Sequence, residues 1–410
     1  MPTGMAAQLR IDDPAFCENP HPALARMRAE TPAYLLPDLD TFVVGRHADV
    51  TAISKAPTLW SSASGVLVND VVHRQNVGDE FFPPAVERLM TTDPPRHRFL
   101  RRVIAPSMTP RATAALEPAI RAFCRELVAG LEPDTEIDFV ERLAVPLPLW
   151  VIAKLFGLPG DNLGDFRAWS DLMMAMGGDL TRDELRAATA AMRPMNEYFR
   201  ENLTRRGREL DRYADAEDLL TTLVRAEREH AELTADNVLG LSLTTLVAGN
   251  ETTRNLLGWA AHALARHPDQ LAALAADPSL AGNAVDETLR WASPVPGFVR
   301  TATADTTIGD VAVRAGQHAY LLYLSANRDE TVFPDPDRFD VRRSGSRGHL
   351  AFGFGEHVCP GASITRMESR ILLEELLARF CSWEPAGEPT RIRSTLQNGW
   401  AHVPVVLRAR

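Results

Sequence analysis

Hydrophobic and polar positions recur along the chain with two different periods, and the changes of period mark out regions. Two short extended runs, Ala33–Leu36 and Thr41–Val44, flank Pro37-Asp38-Leu39-Asp40 and predict an early hairpin. From about residue 110 to residue 290 the spacing is helical, in a stretch rich in Ala, Leu, Arg and Glu. Strand-like runs return at residues 299–308, 319–324 and 402–407. Between them, residues 333–339 contain Pro334 and Pro336, which forbid a regular helix. No repeat period and no Gly/Ser linker interrupts the sequence, so one domain over residues 1–410 is expected. Its architecture is mainly α with small β-sheets, not an alternating doubly wound fold.

One helix stands out. Thr234 suits an N-cap, and the helical pattern runs from there to about His267, where Pro268 stops it. Roughly 30 residues correspond to about 45–50 Å, enough to cross a whole domain. Gly249-Asn250-Glu251-Thr252-Thr253-Arg254 breaks its apolar run, so the helix is unsuited to lipid and better read as a buried element passing something polar or reactive. The first 16 residues are polar and broken by Pro2 and Pro14, without the pattern of a signal peptide or membrane anchor.

Composition narrows the classes. With 410 residues the chain can bury a large core without disulfides or structural metal. Lys+Arg minus Asp+Glu is 44 − 54 = −10, which argues against a general binder of nucleic acid or anionic membrane. Nearly all the positive charge is arginine, since Lys55 and Lys154 are the only lysines. Cys17, Cys124, Cys359 and Cys381 are far apart and form no CxxC pair, which excludes a zinc ribbon or a disulfide scaffold. A cytoplasmic protein is the default expectation.

The sharpest chemical feature is Phe352-Gly353-Phe354-Gly355-Glu356-His357-Val358-Cys359-Pro360-Gly361, followed by an amphipathic helix with Ile364, Met367, Ile371 and Leu376 on one stripe. A helix N-terminus lowers a thiol pKa, which favours a thiolate at Cys359. Pro360 fits a first helical turn, and glycines at 353, 355 and 361 let backbone turn tightly or approach a flat object. Such a sulfur suits an axial iron ligand; from the residues alone, an inert buried cysteine and a nucleophilic one also stand open. In the long helix, Ala248 and Gly249 leave room beside Glu251 and Thr252, an acid next to a hydroxyl; a helical Thr also commonly bonds its own i−4 carbonyl. Glu287 and Arg290 are an i,i+3 pair, worth about 0.2–0.5 kcal/mol if exposed. His97 and Arg101 share one helical face.

The 352–361 string matches the haem-ligand signature Phe-x-x-Gly-x-x-x-Cys-x-Gly of the cytochrome P450 family at Phe352, Gly355, Cys359 and Gly361, and the whole chain resembles a soluble bacterial member. The resemblance implies a cytochrome P450 fold, with the long central helix over a buried haem b whose iron takes Cys359 as sulfur ligand. Phe352, Gly353 and Gly361 would surround that ligand, with Ala248 and Gly249 on the opposite side. Glu251 and Thr252 match the acid–alcohol pair that delivers protons during oxygen activation, with Glu where family members often carry Asp. Glu287 and Arg290 match a Glu-x-x-Arg motif whose buried network Arg338 would complete. His97, Arg101, Arg300 and His357 would bind the haem carboxylates.

The activity so implied is a monooxygenase that inserts one atom of O2 into a small apolar molecule. Its electrons would come from a ferredoxin and ferredoxin reductase, with Arg96, Arg98, Arg101 and Arg102 as a docking patch. By family position the pocket draws on about 61–90, about 170–200, 243–247, 295–298 and 398–400, including Val247, Val295, Phe298, Trp400, Phe81, Phe82, Met173, Met174 and Met176. Two other classes compete: a catalytically silent haem-binding or recruitment module of the same fold, and a cysteine enzyme without haem.

Overall fold

Thr234 opens the longest helix, Ala235–Arg266, through a reciprocal cap. Its hydroxyl accepts from the Asn237 N–H at 3.2 Å, while Asn237 Oδ1 accepts from the Thr234 N–H at 2.9 Å. His267 closes the helix, and Pro268 begins the next one, Pro268–Ala276. Its 32 residues span about 48 Å. The computed structural model describes residues 9–11, 16, 18–74, 86–158, 163–176 and 182–410.

Helices Pro146–Leu155, Arg193–Arg208, Leu219–Glu229 and Ala281–Ala292 pack around this central helix. Leu239, Leu243, Leu246, Leu256, Leu257 and Leu264 of the central helix are buried in the main apolar cluster. Each such leucine contributes about 1.5–3 kcal/mol relative to exposure. The C-terminal helix Ala362–Arg379 joins the same core, against Glu117–Ala129 and Ala281–Ala292. Among the described residues no helix is long and apolar enough to cross a membrane.

The early hairpin forms as its alternation predicts, with Ala33 opposite Val44 and Leu36 opposite Thr41. It belongs to a five-stranded sheet ordered Ala33–Leu36, Thr41–Val44, His318–Leu322, Gly297–Ala302, Trp60–Ser61. Thr41–Val44 runs parallel to His318–Leu322; the other pairs are antiparallel. The 299–308 run is two strands rather than one, since the chain leaves the large sheet after Ala302 and restarts as Thr306–Ile308, paired with Val311–Val313. The 319–324 run ends at Leu322 and passes into a helical turn, Tyr323–Ala326. The 402–407 run is likewise divided between Trp400–His402 and Pro404–Ala409. The latter pairs with Glu136–Asp138 and Phe380–Pro385, two strands the alternation does not announce.

Candidate active site

Cys359 lies on a loop between a 3-10 turn, Gly355–His357, and the C-terminal helix. Its N–H donates to the Phe352 carbonyl at 2.8 Å, which closes the loop on itself. Two glycines make the turn feasible. Gly353 and Gly355 both have φ +71°, and a Cβ on Gly355 would sit 2.3 Å from the Ser54 carbonyl oxygen. Enclosure by protein pushes the Cys359 thiol pKa up, against the opposing pull of the Gly361 and Ala362 N–H groups, Arg101 and Arg366. The helix-start effect expected from sequence is therefore present but outweighed by desolvation in the metal-free chain.

The sulfur faces a cavity of about 210 Å³, whose far wall is the central helix. Leu241, Thr244, Thr245, Ala248, Gly249 and Thr252 form the lining stripe, spaced three or four residues apart as one helical face requires. Gly249 has a second reason to be small: a Cβ there would lie 2.8 Å from Ile152 Cδ1 of the neighbouring helix. Thr252 Oγ1 donates to the Ala248 carbonyl at 2.8 Å and keeps its lone pairs for acceptance. Glu251 is buried behind this wall and accepts from Asn250 Nδ2 at 3.2 Å. Adjacent helical residues point about 100° apart, and of this pair it is Thr252 that lines the cavity.

On one flank of the cavity, basic side chains converge. His97 is 1% exposed, and neither ring nitrogen has a hydrogen-bond partner in the protein. Its ring stacks on His357 with centroids 4.0 Å apart. Arg300, almost fully buried, donates to the Val299 carbonyl at 2.7 Å. Arg101, one helical turn after His97, reaches the Glu356 carbonyl at 3.1 Å. Burial, then Arg300, His97 and Arg101, depress His357 to about 3; burial and Arg101 likewise lower His97. A buried imidazole with two unsatisfied nitrogens among arginines fits an anionic group that the chain itself does not supply. The carboxylates of a haem, seated between Cys359 and the Ala248–Gly249 stripe, have the charge and place that this pocket asks for.

Beneath the loop, Glu287 and Arg290 form a fully buried bidentate pair, at 2.7 and 2.8 Å. The expected third member, Arg338, is exposed and offers only its carbonyl, which accepts from Arg290 and Arg343. The third cation is Arg343, whose Nε lies 3.1 Å from Glu287 Oε1. The motif spacing placed an arginine in this segment but not the side chain that turns inward.

Of the expected pocket residues, Val295 and Phe298 line the cavity, while Val247 and Trp400 do not. Val247 sits beyond the edge of the lining stripe, about 60° round the helix from Thr244, and packs on the main core. Trp400 meets Trp259 edge to face with centroids 4.9 Å apart and borders a separate surface recess with His262. Phe81 and Phe82 lie outside the described residues, as do the side chains of Met173, Met174 and Met176. The expected segments about 61–90 and 243–247 reach the cavity through Leu89, Met90, Thr244 and Thr245; sequence reasoning missed Leu241, which counting back 11 positions from Thr252 would have found. It also missed Glu368, buried in the cavity wall and held protonated far above the usual carboxylate range by desolvation.

The docking patch changes as well. Arg96 pairs with Glu87 and reaches Asn237 at the start of the central helix, and Arg101 turns inward. Arg98, paired with Glu356, remains at the surface beside the loop that carries the exposed side chains Phe354 and Val358, and the exposed Arg102 borders a separate recess with Phe99 and His230.

Comparison with known proteins points one way. The family described as Cytochrome P450 matches residues 168–278 and 279–403. Vitamin D(3) 25-hydroxylase of Pseudonocardia autotrophica is 36% identical, over 96% of this chain and 95% of that one. Linalool 8-monooxygenase of Pseudomonas putida is 34% identical, over 95% of each. The solved structure of cytochrome P450 CYP109Q5 from Chondromyces apiculatus superposes with a TM-score of 0.83 at 35% identity, covering 98% of both chains.

Proposed function

The chain belongs to the cytochrome P450 family, haem b monooxygenases, and from that premise we propose that it oxidises a small apolar molecule with electrons from a ferredoxin. Bound haem supplies the iron that activates O2 with two electrons from redox partners. Cys359 is the sulfur donor, held by the Phe352 carbonyl and the glycine turn. His97, Arg101, Arg300 and His357 bind the haem carboxylates; the unsatisfied ring of His97 is the observation that carries this reading.

Thr252 presents its hydroxyl oxygen to the cavity as an acceptor, its own proton being engaged by the Ala248 carbonyl, and so holds a proton-donating group there. Glu251 is the supplying acid, and because it lies behind the wall, its proton must pass round the helix through water or a turn of the side chain. Leu89, Met90, Leu241, Val295 and Phe298 shape a mostly apolar substrate space. The curated relatives named for vitamin D(3) and linalool act on molecules of that character. Arg98, Arg102, Phe354 and Val358 offer a ferredoxin a mixed cationic and apolar surface.

Screening terpenoids and sterols by the spin-state shift of the purified protein, then by turnover with a ferredoxin and its reductase, tests the proposal. Product containing one oxygen atom from O2 is expected. A haem-loaded protein that gives spin shifts but no product with any ferredoxin would instead mark a silent binding module.

A further inference from the structure

Asp286 stands one residue before Glu287 and takes no part in the Glu287–Arg290–Arg343 network. Its side chain is 1% exposed and accepts from three partners. Arg366 Nε at 2.6 Å and His349 Nε2 at 3.3 Å meet Oδ1; Arg347 Nε meets Oδ2 at 3.0 Å. Neighbouring helical positions diverge by about 100°, so one helix turn sends Glu287 toward residues 327–343 and Asp286 toward the cysteine loop.

The partners of Asp286 lie on both sides of that loop. His349 Nδ1 accepts the Ala351 N–H at 3.2 Å, so the hydrogen-bond pattern assigns the proton to Nε2, which donates to Asp286. This fixes the backbone just before Phe352, whose carbonyl receives the Cys359 N–H. On the other side, Arg366 leaves the C-terminal helix and lays its guanidinium 4.6 Å over the Phe352 ring. A single buried carboxylate thus holds both arms of the loop and partly neutralises the guanidinium that lies over the ring of Phe352, whose backbone carbonyl receives the Cys359 N–H.

We infer that Asp286 is a positioning residue for the Cys359 sulfur, anchoring its loop through His349 and Arg366 and setting the charge that the sulfur and its metal feel. The inference rests on Cys359 being the haem ligand.

The test uses the haem-loaded protein and reads the reduction potential and the lifetime of the thiolate-type Soret band of its ferrous carbon-monoxide complex. Asp286→Asn keeps the shape but leaves Arg366 and Arg347 uncompensated. The added positive field favours the reduced metal, so the potential rises, and the thiolate-type band decays to the thiol type several times faster. Asp286→Glu restores both. His349→Phe leaves Asp286 its two arginines, so it accelerates the decay without raising the potential.

An Asp286→Asn protein with wild-type potential and band lifetime, whatever its unfolding temperature, would reduce Asp286 to a structural residue and overturn the inference. If that variant does not fold, His349→Phe decides alone: an unchanged lifetime overturns it. Absence of a thiolate-type band in the wild-type protein would instead refute Cys359 as ligand.

Discussion

Arg343 donates from Nε to Glu287 Oε1 at 3.1 Å, while its Nη atoms bond the carbonyls of Pro334, Asp335 and Arg338. The same glutamate holds Arg290 and the Asp340 N–H, so one fully buried carboxylate ties a helix to the proline-rich segment that precedes the cysteine loop. Breaking a buried pair leaves an uncompensated charge. Glu287→Ala and Arg343→Ala should each cost about 3–5 kcal/mol, whereas Arg338→Ala, a surface truncation that keeps the carbonyl, should stay within about 0.5 kcal/mol. Denaturant unfolding followed by circular dichroism ranks the three; equal losses for Arg338 and Arg343 would contradict the assignment.

Cys359→Ala removes the sulfur while sparing the His97–Arg300 flank. The variant should bind haem weakly and lack the thiolate-type Soret band in its carbon-monoxide complex. A retained band would transfer the ligand role elsewhere.

Thr252→Ala deletes a hydroxyl that the central helix offers to the cavity one turn beyond Ala248. Substrate-induced spin shift should persist, and peroxide should replace much of the product per electron consumed. Unchanged coupling of electrons to product would remove Thr252 from proton delivery.

The cavity facing Cys359 is bounded by Phe298 and not by Trp400. Phe298→Ala should therefore alter KM and the product pattern, while Trp400→Phe should leave both as they are. Steady-state kinetics with any accepted substrate, together with product analysis, separates the two.

Acid stability carries its own signature. Burial, with help from Arg266, Arg391 and His267, lowers His262 from the ordinary 6.5 to about 4. A histidine whose folded pKa is depressed binds its proton more readily once unfolded, so its neutral form stabilises the fold above about pH 6.5. That stability is lost as pH falls toward 4. Asp286, held at about 2 by His349 and Arg366 against its desolvation, adds a second loss between about pH 4 and 2. Unfolding measured from pH 7 to 3 should decline in that order, and His262→Gln should flatten the upper part only.

Sequence alone determined the elements whose physics is local. The Thr234 cap and Pro268 stop are set by neighbours a few residues away, and they delimited the central helix to within a residue. The 352–361 string located the glycine turn and the helix start because tight turns admit few residue types. The hairpin at residues 33–44 was legible for the same reason.

Tertiary structure decided everything that depends on which way a side chain faces after distant segments meet. Arg343 rather than Arg338 reaches Glu287, and Thr244 rather than Val247 faces the cavity; in each case the choice lies in a rotation that spacing to a motif does not encode. The Cys359 thiol is pushed up by an enclosure built from elements hundreds of residues apart, a solvation effect that no local helix-end argument contains. Asp286 gathers Arg347, His349 and Arg366 across 61 to 80 positions of chain. Backbone preferences act over one turn, whereas desolvation and charge pairing act through space, and only the folded chain fixes the distances they depend on.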